Sequence, residues 1–135
     1  KSNHMGMEQV IQIAQKPFHG LCFANLVDFD ALFGHRRDAL GYAKCVEEFD
    51  QDVKNLLPYL TANDLLIICA DHGNDPTHSG SDHTREFTPL LVYNPLLPGR
   101  PLGVRKTFAD IGATVCENFS LGKPEIGTGF LKEIQ

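Results

Sequence analysis

Long apolar runs are missing from this chain. None approaches the roughly 20 residues that a membrane-spanning helix needs, which excludes such a helix. No segment reads as a secretory signal. An excess of positive charge is missing too. The 12 Lys and Arg stand against 17 Asp and Glu for a net charge of −5, and the Arg36-Arg37 pair is only local. The electrostatic footprint of a nucleic-acid binder is therefore absent. Cys22, Cys45, Cys69 and Cys116 stand far apart within apolar elements and form no CxxC pair. They read as buried thiols in a reducing compartment rather than disulfides or zinc ligands. Internal repeats and low-complexity stretches are also missing. What remains is a chain of 135 residues, enough for one domain with a modest core. The expectation is a cytoplasmic protein with no nucleic-acid or membrane partner.

Apolar stretches alternate in type along the chain. Met7–Gln15 places Met7, Val10, Ile11 and Ala14 on one helical face, ended by Pro17 and Gly20. Leu21–Val27 reads as a strand. Asp38 caps a helix reaching about Leu57, with Tyr42, Val46, Phe49, Val53 and Leu56 at helical spacing. Asn63-Asp64 turns the chain into a buried strand, Leu65–Ala70. Pro89–Tyr93 is a third short strand, and Leu96–Arg105 is a loop rich in Pro and Gly. Thr107 with Asp110 has the pattern of a capping box for a helix that buries Phe108, Ile111, Val115 and Phe119. The tail from Leu121 reads as irregular, with Ile126 or Phe130 tucked onto the body. Strands alternating with helices predict an α/β fold, a mainly parallel sheet flanked by helices.

The chemistry is concentrated in Ala70–Glu86, ADHGNDPTHSGSDHTRE. Asp71 and His72 sit where an apolar strand gives out into a loop, the end at which open α/β sheets bind ligands. Asp75, His78, Asp82 and His83 follow among glycines and serines. A second cluster leaves Leu21–Val27 as Asp28-Phe29-Asp30, with Gly34 and His35 one loop further on. Ionised carboxylate and neutral imidazole together suit divalent metals such as Zn or Mn. If the two strand ends lie side by side, Asp30 and Asp71 can meet His35, His72 and His83. Two clusters of the same chemistry are hard to ascribe to composition when the chain has only six histidines. His4 and His19 read as solvent-exposed, and His78 as a loop residue without a metal role.

These motifs, NLVDFDALFGHRRD (Asn25–Asp38) with ADHGNDP and GSDHTRE, closely resemble the phosphopentomutases of the alkaline phosphatase superfamily. The resemblance spans nearly the whole chain. It implies an alkaline-phosphatase-like core and an enzyme with two manganese ions. Such an enzyme interconverts ribose 1-phosphate and ribose 5-phosphate, and the deoxyribose equivalents, through a phosphorylated threonine and a sugar bisphosphate. A pentose phosphate is thus the implied substrate and a sugar bisphosphate the implied activator. Residue by residue, the implied ligands are Asp30, His35 and His83 for one metal, expected to bind first, and Asp71 and His72 for the other. Asp28 competes with Asp30, but the spacing to His35 fits Asp30 better. Arg36, Arg37, Thr84 and Arg85 match motif positions with structural or supporting roles.

Members of that family are longer and carry an inserted second domain. The resemblance implies that residues 1–135 are the C-terminal portion of the metal-binding core. The N-terminal core segment with its aspartate ligand, the threonine nucleophile and the cap domain would lie outside this sequence. Alone, the chain is then expected to be inactive and to self-associate through uncovered sheet edges and helix faces. Cofactor-independent phosphoglycerate mutase shares the ADHGN motif, but its aspartate-to-histidine spacing is shorter and it lacks the DFD and GHRRD pattern. A non-catalytic metal-binding module would keep the ligands without a nucleophile. Ser79, Ser81 and Thr84 lie near the ligands, but none sits at a helix N-terminus beside a base.

Overall fold

In the computed structural model, which describes residues 2–135, Ser2 sets the start of helix α1, Asn3–Ala14. Its hydroxyl accepts the backbone N–H of Met5 at 3.3 Å, satisfying one of the unpaired donors of the first turn. The helix therefore begins four residues before the expected Met7. It packs on helix α2, Ala39–Leu56, which Asp38 caps by accepting the N–H of Gly41 at 2.9 Å. The contact face of α2 carries Cys45, Asp52 and Leu56, and that of α1 carries Asn3 and Met7, all buried. Polar groups are paired across it: Asn3 Nδ2 donates to Cys45 Sγ at 3.6 Å, and His4 Nδ1 lies 2.8 Å from the buried Asp52 carboxylate. Val46, expected on the buried stripe, is 45% exposed.

Between the two helices the chain runs extended through Leu21–Val27 and enters a π-helical turn, Phe29–Gly34. The expected strand at Leu21–Val27 does not form. It joins no sheet among the described residues, and Phe23 is 84% exposed. Propensity alone makes no strand where no neighbour completes the ladder. The segment passes close to α1 at Gly6, where a Cβ would lie 2.8 Å from Leu26 Cδ2 and would have to displace that methyl.

Pro58 falls in the 3-10 turn Leu57–Tyr59 that ends α2. Thr61 and Asp64 then close a turn, the Asp64 carboxylate accepting from the Thr61 N–H and hydroxyl at 2.7 Å each. Strand β1, Leu66–Cys69, pairs antiparallel with β2, Leu90–Tyr93, with Leu66 opposite Tyr93 and Cys69 opposite Leu90. Asn94 Nδ2 fixes the end of this hairpin by donating to the carbonyls of Ala62 and Asp64. Among the described residues this two-stranded antiparallel sheet replaces the mainly parallel one expected. Parallel neighbours are usually joined through a crossover helix, and the 70–89 segment carries none. With one partner strand each, β1 residues are half-buried at best and Cys69 is exposed. Cys22 is exposed as well, so only Cys45 is a fully buried thiol.

The second compact unit, Pro95–Gln135, is built on helix α3, Ala109–Asn118, and the short helix α4, Leu131–Ile134. The capping box does not form. Thr107 Oγ1 accepts from Ala109 N, while Asp110 turns away to the Arg105 guanidinium at 3.0 Å and the Thr128 N–H at 2.9 Å. Phe108 is exposed in consequence, and Asp110, Ala113 and Thr114 form the buried face. Phe130 is fully buried under the Arg105 guanidinium, as one of the two expected anchors, and Ile126 is exposed. Among the described residues no helix is long and apolar enough to cross a membrane.

Candidate metal centre

Asp30 lies in the first turn of the π-helical segment, and the segment after β1 folds back over it. Gly73 bridges to Thr84, closing that segment into a loop. His83 Nε2 lies 3.2 Å from the Asp30 carboxylate, His35 Nε2 3.3 Å and His72 Nε2 3.9 Å. The rings of His72 and His83 stack at 3.6 Å, and His35 is tilted against His83 at 4.7 Å. One ligand atom each from Asp30, His72 and His83 falls within 4.8 Å of the others, the spacing a single metal ion requires. The two sequence clusters thus meet in space.

The donor set fits a divalent cation. His35 Nδ1 stands 2.6 Å from the Ser81 carbonyl and His72 Nδ1 3.1 Å from that of Gly73. A carbonyl oxygen only accepts, so each Nδ1 carries a proton, which leaves Nε2, on the side of Asp30, as the ring atom that can take a metal. The Nε2 atoms of His35 and His83 face each other at 3.1 Å, a contact that needs a proton or a cation between them. Partial burial works against ionisation of Asp30. The hydrogen bond donated by Asn74 at 2.6 Å and the charges of His35, His83 and His72 outweigh it, holding the carboxyl below the usual aspartate range.

Asp71 is placed apart from this centre. Its side chain is 86% exposed and lies 3.6 Å from His72 Nε2. Asp28 is buried 25 residues along from Asn3, whose backbone N–H it accepts at 2.7 Å, and it takes no part in the cluster. His78 faces the Ser79 carbonyl. Asp75 is engaged with Thr77, and Asp82 offers its backbone carbonyl to Arg37. His4 is exposed as expected, though paired with Asp52.

Two residues that the motif reading left out or left vague shape the centre. Asn74 binds Asp30 directly and was marked only by following Gly73 beside the ligand pair. Gly34 is buried beneath it, and a Cβ at that position would strike the Asn74 amide. Arg37 has a left-handed backbone (φ 55°) and donates to Gly34, Asn74, Asp75, Gly80 and Asp82.

A half-buried carboxylate ringed by imidazoles is an arrangement that could hold a divalent metal ion. The chain belongs to the Metalloenzyme superfamily, whose family model matches residues 1–123. This alkaline-phosphatase-like family includes phosphopentomutase and related mutases, and it implies bound metal ions.

Proposed function

We propose that this chain carries the metal-binding part of a phosphoryl-transfer enzyme of the phosphopentomutase type, acting on ribose or deoxyribose 1- and 5-phosphates. The observation that carries the reading is the convergence of three imidazole Nε2 atoms on the Asp30 carboxylate, at 3.2 to 3.9 Å. Asp30, His35 and His83 are assigned to one Mn2+, and Asp71 and His72 to a second. His72 Nε2 lies between the Asp30 and Asp71 carboxylates, at 3.9 and 3.6 Å. Divalent ions, when bound there, would supply positive charge against the phosphoryl oxygens and would acidify an attacking hydroxyl.

The chain's own residues set up that chemistry. Asp30 supplies the central negative charge. The imidazoles add donors without adding further negative charge, which leaves the centre attractive to a phosphate dianion. The carbonyls of Ser81 and Gly73 hold two of those rings in the required tautomer. Thr84 is not a free nucleophile, since its hydroxyl accepts from Asp75 N and donates to the Glu86 carboxylate. The reading takes the nucleophilic threonine, a further aspartate ligand and the sugar-binding cap from segments outside this sequence. Residues 1–135 would then be the C-terminal portion of the core, without mutase turnover of their own. A coupled assay for ribose 5-phosphate formation, on the full-length gene product with Mn2+ and a bisphosphate activator, tests this. The expected result is turnover that Asp30→Asn abolishes. A full-length protein with Mn2+ bound and no turnover would overturn it, as would turnover by residues 1–135 alone.

A further inference from the structure

We infer that Arg37 is the positioning residue of this metal centre, one guanidinium setting the approach of Asp30, His35 and His83 together. The inference rests on the metal-binding reading above and names the group that preorganises it. Arg37 Nη1 donates to Asn74 Oδ1 at 2.7 Å and to the Asp75 carbonyl at 2.8 Å, at one end of the loop. Nε and Nη2 donate to the carbonyls of Gly80 and Asp82 at the other end. Nη1 also reaches back to Gly34 O at 3.2 Å, in the turn that carries Asp30. All of these acceptors are neutral oxygens, so the guanidinium ties the loop to the π-helical turn and is not matched to a single carboxylate.

Each tie leads to a proposed ligand. Because Arg37 holds the Asn74 oxygen, the Asn74 NH2 must face Asp30, which it does at 2.6 Å. A flipped amide would set an oxygen against the carboxylate. Gly80 and Asp82 flank Ser81, whose carbonyl fixes the His35 tautomer at 2.6 Å. Asp82 directly precedes His83. The backbone supports the same assignment. Arg37 sits at φ 55°, a conformation costly for a long side chain and kept where the surroundings over-determine it. A planar fork of five donors can serve both loop ends at once, and an ammonium cannot.

The test uses chelator-stripped protein and Mn2+ as the probe, read by titration calorimetry and by the electron paramagnetic resonance of free Mn2+. Removing groups that orient metal ligands typically costs about 10- to 100-fold in affinity, and that loss is expected for Arg37→Ala. Arg37→Lys should fail to restore it, while millimolar guanidinium should restore part of it. Metal-free imidazole 15N spectra give a second readout: Arg37→Ala should lose the Nδ1–H form of His35 and leave His4 unchanged. Asn74→Ala should weaken Mn2+ binding as well, and the double variant should lose less than the product of the two single losses. Arg37→Lys and Asn74→Ala keep the inference measurable if Arg37→Ala does not fold. Wild-type affinity in Arg37→Ala with the His35 tautomer retained would overturn it, as would fully multiplicative losses. If the wild type binds no Mn2+, the functional reading falls, and the His35 tautomer still decides the role of Arg37.

Discussion

Replacing His83 by Ala is the sharpest test of the metal centre. The imidazole stands 3.2 Å from the Asp30 carboxylate, 3.1 Å from His35 Nε2, and stacked on His72 at 3.6 Å. Its loss removes one donor and the face that holds a second. Structural four-ligand zinc sites bind with about 10–16 kcal/mol, or roughly 2.5–4 kcal/mol for each ligand, which sets an upper scale for Mn2+. At ~1.4 kcal/mol per tenfold, His83→Ala should weaken Mn2+ binding by about two to three orders of magnitude. His83 lies on an exposed loop, so the fold should lose no more than about 0.5 kcal/mol, the usual cost of surface changes. Asp71→Ala supplies the contrast. Its 86% exposed carboxylate lies 3.6 Å from His72 and outside the Asp30 cluster, so the tighter metal should be retained. Titration of chelator-stripped protein with Mn2+, with thermal melts alongside, measures both. A His83→Ala affinity within threefold of wild type, or an Asp71→Ala loss as deep as that of His83→Ala, would refute the assignment.

Asp30→Asn should remove most Mn2+ affinity in the same titration, whereas Asp28→Asn keeps an oxygen that can accept the Asn3 N–H and should cost little; equal losses would show that the wrong aspartate was assigned. Phe130→Ala empties a fully buried site in the second unit and should cost about 3–5 kcal/mol, seen as lost amide protection in α3 and α4. The hydrogen bond and charge of Asp52, helped by Glu8 and Glu48, raise the His4 pKa despite some burial. A raised value means stability fully present below pH ~6.5 and lost as pH rises through the folded value. The melting advantage of wild type over His4→Ala should therefore shrink from pH 5.5 to pH 8.5, and an advantage that grows would contradict the pairing. The exposure of Leu21, Phe23 and Val27 leads us to expect self-association, and light scattering that shows a monomer over a wide concentration range would refute it.

The sequence by itself determined whatever depends on neighbours along the chain. Asp38 capping α2 is a three-residue relation between a carboxylate and the Gly41 N–H, and it was legible from residue type and position. The two apolar runs that pair as β1 and β2 were legible by the same logic, within a residue at each end. The separate motifs around Asp30 and Asp71 likewise named the residues to watch.

Only the tertiary structure decided the direction of strand pairing and the failure of Leu21–Val27 to become a strand. A ladder needs a second backbone, and no local pattern supplies one. It also decided that Asp30 holds the middle of three imidazoles while Asp71 stays in solvent, because that follows from how the loop closes over the π-helical turn. Arg37 was marked by the motif as a supporting residue, but what it holds, and the part of Asn74, were opaque for the same reason. Arg37 lies 37 residues from Asn74 and 45 from Asp82, and its partners are mostly backbone carbonyls, which every residue has and no sequence motif marks.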